Sequence, residues 1–118
     1  MQFVCEDFGH FIVMRYSERR LDGHSASLFR TMARDVVRPN CQIYILDLSS
    51  VTFVDSSGVG AIVGFLKFLG RERRLELCGM NPMVRKVFRL TRLDQVFTIR
   101  DTVDCCTESI SVNKVAAD

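Results

Sequence analysis

The pattern of apolar and polar positions changes period once, sharply, at Asp55. Before it, Ile43, Tyr44, Ile45, Leu46 and Leu48 make a β-branched, aromatic and aliphatic run of strand length, and Val51, Phe53 and Val54 keep the extended signal going. After it, Val59, Ile62, Val63, Leu66 and Leu69 recur at helical spacing with Phe65 and Phe68 beside them, which predicts a helix buried over most of its circumference. Earlier in the chain, Phe3 to Glu6 and Phe11 to Tyr16 read as two short strands joined by a hairpin through Asp7-Phe8-Gly9-His10. A first helix follows, with Ser25 as N-cap, an apolar stripe of Leu28, Met32 and Val36 joined by Phe29, and Pro39-Asn40 as its stop.

Beyond the central helix, the basic turn Arg71 to Arg74 leads into a strand, Leu75 to Cys78. Asn81 then caps a helix with Pro82 at its first position, and Val84, Val87, Phe88 and Leu90 are expected to face the core. A strand over Val96 to Ile99 and a last helix starting near Thr102 complete the chain. Strand and helix thus alternate after an opening hairpin, so the expected architecture is α/β, a mixed sheet backed by helices with right-handed crossovers. The 118 residues suffice for one core and are too few for two, and no repeat or linker divides them; one domain over 1–118 is expected, with an N-terminal strand in 1–9 and a C-terminal helix and tail in 101–118.

The junction Asp55-Ser56-Ser57-Gly58 carries the candidate chemistry. It places a carboxylate and two hydroxyls where a strand ends and a helix begins, beside unpaired backbone N–H groups and the positive end of the helix dipole. Taken alone it reads first as a helix N-cap, since Asp and Ser are preferred there. The surrounding run D-L-S-x-V-x-F-x-D-S-S-G-x-G, Asp47 to Gly60, resembles the STAS domain of bacterial anti-sigma-factor antagonists. The likeness continues through Leu75-Glu76-Leu77, Asn81-Pro82, Val84 to Phe88 and the T-x-L-x-x-x-F-x-I segment Thr91 to Ile99, covering roughly residues 10 to 100.

That resemblance implies a STAS fold, a mixed sheet of four to five strands with helices packed mainly on one face. It also implies a phosphorylation-controlled binding module, an anti-anti-sigma factor that sequesters an anti-sigma factor with serine-kinase activity while unphosphorylated and so frees a sigma factor. The phosphorylated position carried over is Ser56. A phosphatase would complete the cycle, and ATP would belong to the partner kinase. Asp22, Asp55, Ser57, Gly58, Gly60, Gly64 and Lys67 are expected at the partner surface. Ser57, Gly60, Gly64, Lys67 and Arg71 follow steps of three or four residues along one stripe, and two glycines inside a helix ask for a close neighbour. One departure stands out: the resemblance leads to Gly-Glu-Leu-Asp at residues 19–22, whereas the chain has Arg19-Arg20-Leu21-Asp22.

Composition narrows the alternatives. A net charge of +2 is too small for nucleic-acid binding through a general basic field. Met1-Gln2-Phe3-Val4 has no basic leader, and the apolar helix carries Lys67 and is too short to span a bilayer, so a soluble cytoplasmic protein without membrane insertion is expected. Five cysteines without a C-x-x-C pair are expected as free thiols, Cys41 and Cys78 in the core, with Cys105-Cys106 only a weak redox or metal motif. A serine hydrolase would need a base for Ser56, and only His10 and His24 exist, in a turn and beside a helix start. The Gly58-Val59-Gly60 run fits neither dinucleotide nor P-loop patterns. No enzyme activity, cofactor or metal is therefore expected, and the rival reading is a STAS scaffold subunit of a signalling assembly or membrane transport system.

Overall fold

The central strands are apolar on both faces because helices cover both. In the computed structural model, which describes residues 3–117 and side chains to residue 110, the elements run as follows. They are β1 (Phe3–Asp7), β2 (Phe11–Tyr16), β3 (Arg20–Leu21), α1 (Ala26–Val36), β4 (Ile43–Asp47), β5 (Phe53–Val54), α2 (Ser56–Leu69), β6 (Arg74–Cys78), α3 (Pro82–Leu90), a 3₁₀ turn (Leu93–Gln95), β7 (Thr98–Arg100) and α4 (Val103–Ala117). Five strands form one mixed sheet in the order β1-β2-β4-β6-β7. β1 is antiparallel to β2 and the other neighbours are parallel, with Phe11 opposite Ile43 and Ile43 opposite Arg74.

Alternation along each strand sorts the core into two layers. Ile12, Met14 and Tyr16 of β2, Tyr44 and Leu46 of β4, and Leu75 and Leu77 of β6 pack against Phe29 of α1, Phe65 of α2 and Phe88 of α3. Phe11, Val13, Ile45 and Cys78 point the other way, where Cys106 and Ile110 of α4 cover them. Each large buried ring contributes about 2–3 kcal/mol by leaving water. Helices therefore lie mainly on one face, as expected, with α4 alone on the other. All five cysteines carry free thiols, and Cys41, Cys78 and Cys106 are buried.

Five sequence expectations need correction. The extended signal from Ile43 to Val54 is two strands: β4 stops at Asp47, and β5 leaves the main sheet to pair with β3, a strand the pattern did not announce. The buried stripe of α1 is Ala26, Phe29 and Ala33, while Leu28 is 48% exposed. Small residues let α1 lie close to its neighbours, which an apolar count overlooks. Leu90 is 71% exposed at the last turn of α3, and Val96 is exposed ahead of the strand, which begins at Thr98. Finally, α2 ends at Leu69, so Arg71 lies beyond the helix stripe.

Candidate functional site

Asp55 organises the junction. Its Oδ1 accepts a hydrogen bond from the amide of Gly58 at 3.0 Å, which makes it the N-cap of α2. Its Oδ2 accepts from the amide of Gly23 at 3.2 Å, in the loop between β3 and α1. One carboxylate therefore caps a helix and ties down a loop 32 residues away in sequence. Both oxygens are engaged by amides, which leaves Asp55 unsuited as a general base for the adjoining serines.

Ser56 and Ser57 occupy the first two positions of α2 and both are exposed. Because β6 pairs parallel to β4, α2 runs back across the sheet and its amino end lies at the carboxyl ends of the strands. Backbone N–H groups in the first turn of a helix have no partner within it, so a hydroxyl or a phosphate at Ser56 meets donors rather than acceptors. Ser57 leans toward the β3–α1 loop, its Oγ 3.9 Å from where a side chain on Gly23 would begin.

Gly58 explains how that loop comes so close. A Cβ there would sit 2.0 Å from the carbonyl oxygen of Leu21 and 2.9 Å from Val54, so the backbone of β3 rests directly on the first turn of α2. Pairing of β3 with β5 and the hydrogen bonds from Thr52 and Phe53 amides to the Arg19 carbonyl, at 2.7 and 3.2 Å, fix the same contact from the other side.

Asp22 is 8% exposed and belongs to the loop's scaffold. Its carboxylate accepts from Arg20 Nε at 3.0 Å, from the His24 amide at 3.0 Å and from Ser25 Oγ at 3.3 Å. The Arg20 hydrogen bond is the main cause that holds its carboxyl below the ordinary value. Ser25, expected as the cap of α1, makes no side-chain cap bond; its hydroxyl accepts from the Asp22 amide at 3.0 Å instead. Asp22 therefore brings Gly23 to Asp55 while its own charge is already satisfied.

Arg20, which stands out in the sequence as a departure from the family pattern, joins the pieces. It pairs with Asp22 and stacks its guanidinium 4.2 Å above the ring of Phe53. Opposite charges two residues apart in the sequence are the signal that could have exposed the pair. Arg19, Arg20, Asp22, His24 and Leu28 line an open groove of about 630 Å³ next to the serine rim. Gly60 and Gly64 are half-buried and Lys67 is exposed on the following turns of α2. His10 sits at the amino end of β2, packed edge-on against Phe11 at the far end of the sheet. Among the described residues no group of three or more His, Cys, Asp or Glu side chains is placed to hold a metal, and no helix is long and apolar enough to cross a membrane.

The STAS domain model matches residues 4–106. The anti-sigma F factor antagonist of Paenibacillus polymyxa is 28% identical over 111 residues, which is 92% of this chain and 94% of that protein. An anti-sigma factor antagonist from Mycobacterium paratuberculosis superposes with a TM-score of 0.83 at 24% identity, covering 93% of each chain. The Bacillus cell fate determinant SpoIIAA in its phosphorylated form superposes with a TM-score of 0.68 at 24% identity, over 92% of this chain and 99% of that one.

Proposed function

This chain belongs to the STAS domain family, and from that premise we propose that it is an anti-sigma-factor antagonist whose binding is switched by phosphorylation of Ser56. The observation that carries the reading is the exposed Ser56 at the first position of α2, backed by a helix cap that does not use it. The hydroxyl is free to accept a phosphoryl group, and Asp55 keeps the helix start formed before and after. The protein acts in the cytoplasm as a binding module without catalytic activity of its own. An anti-sigma factor with serine-kinase activity, using its own ATP, would be both its partner and its modifier, and a phosphatase would reverse the step.

Phosphate adds about 1.5 to 2 negative charges and three acceptor oxygens at neutral pH. Unpaired amides and the helix dipole tolerate that charge within the fold. Within a protein interface the same charge must be stripped of water, so the cost falls on docking.

Intact-mass measurement after incubation with the anti-sigma kinase of the same genome and ATP tests the switch. Wild type is expected to gain one phosphate and Ser56→Ala none. Ser56→Ala is expected to bind the kinase constitutively, and Ser56→Asp at least about tenfold more weakly, or roughly 1.4 kcal/mol. Absence of phosphate transfer together with full-strength binding by Ser56→Asp would replace the switch by a scaffold role.

A further inference from the structure

Two cations on α1 and one on α2 share a face beside the serine rim. Arg30 reaches across from α1 so that its Nη2 lies 3.7 Å from where a side chain on Gly60 would begin, and its Nε 3.8 Å from the same point on Gly64. One turn along α1, the Arg34 guanidinium sits 5.0 Å above the ring of Phe68, itself exposed. Lys67 follows Gly64 by three residues on α2 and is exposed. Among the described residues, none of these three cations stands in an ion pair, whereas Arg15, Arg20, Arg38, Arg74, Arg85 and Arg100 each do.

The glycines beneath Arg30 have no internal reason to be glycine. A methyl group at either would meet only the flexible end of Arg30 at ordinary contact distance, and glycine is a poor helix former. What the missing side chains leave is a floor on which a guanidinium lies with no anion above it.

We propose that this α1–α2 face is the docking surface for an acidic segment of a protein partner, with Arg30, Arg34 and Lys67 receiving its carboxylates. The proposal rests on the function given above and adds the chemistry of the partner. Continuity places the two together, since Ser56 precedes Gly60 by four residues, one turn of the same helix. The scale also favours a protein: three cations beside an exposed Phe68 match a mixed polar and apolar interface, whereas nucleic acid is held by longer runs of phosphate contacts. A phosphate on Ser56 would repel the incoming acidic segment from one end of this surface.

Calorimetric titration of the full chain with the purified anti-sigma kinase at low and high salt, about 50 and about 300 mM, tests it. The triple variant Arg30→Gln/Arg34→Gln/Lys67→Gln is expected to bind at least about tenfold more weakly at low salt, with most of the wild-type salt dependence gone. Arg89→Gln, which removes the same charge from α3, is expected to behave as wild type. A triple variant with an unchanged circular dichroism spectrum that binds like wild type at both salts overturns the proposal. Wild type failing to bind the kinase at all would instead defeat the function reading. The face is then read by nuclear magnetic resonance titration with a glutamate-rich peptide, an oligothymidylate and phosphatidylserine vesicles. Saturable shifts at Gly60 and Gly64 with the peptide alone support it; no shift with the peptide, or larger shifts with either of the other probes, overturn it.

Discussion

Gly58 is the residue at which function and fold cannot be separated. The Leu21 carbonyl occupies the space a side chain would need, and neither that backbone nor the first turn of α2 can yield without moving the Asp55 cap. Gly58→Ala is therefore expected to cost about 2–4 kcal/mol in denaturant unfolding. A loss below about 1 kcal/mol would show that β3 steps aside freely. Ser56→Ala touches neither contact, so its effect on stability should be far smaller. Local chemistry made this much legible in the sequence: a carboxylate, two hydroxyls and a glycine at a change of period announce a cap wherever they occur. The bond from Gly23 to Asp55 was hidden, because it joins segments 32 residues apart and only the folded chain brings them together. Arg20 stood out as a departure, but its contacts were hidden, since an arginine in a short polar stretch looks the same whether it is solvated or stacked on Phe53.

Long periodic elements could be read from apolar spacing, and short or small-residue elements could not. The two-residue strands β3 and β5 carry too few positions for a period, and α1 buries alanines where larger residues were expected. Elements also meet through charge, which periodicity does not report. Glu76 in β6 is 0% exposed and receives hydrogen bonds from Arg74 on its own strand and from Arg100 of β7 at 2.8 Å. Arg100 in turn donates to Ser109 of α4 at 3.0 Å, so one carboxylate links two strands and the outer helix. Burial pushes the Glu76 carboxyl up, but the hydrogen bonds from Arg74 and Arg100 outweigh it and leave it below the ordinary value. A depressed folded value means stability that is complete above the unfolded glutamate pKa of about 4.3 and is lost as pH falls through the lower folded one. Melting temperature measured across the acid range should fall less steeply for Glu76→Gln than for wild type below about pH 4.3. That variant should also lose about 2–3 kcal/mol at neutral pH, where the arginines are left without their anion. Parallel slopes for the two proteins would remove Glu76 from the account.

The whole molecule places its strands in space in the order in which the chain supplies them. From β1 to β7 the main sheet grows at one edge only, and no strand is inserted between two already paired. All the buried members of the larger core except Val84, Phe88 and Phe97 precede Gly79. A ribosome delivering about 5–20 residues per second therefore presents each strand to an edge that is waiting for it. Both sides of the Asp55 bridge, and the close approach of Leu21 to Gly58, emerge before the last third of the polypeptide has been translated. A nascent chain tethered to an arrest peptide should thus pull on the ribosome once Cys78 clears the exit tunnel, before α3 has emerged in full and well ahead of α4. Force appearing only when α4 has emerged would mean that the sheet waits for its outer helix before any part of it holds.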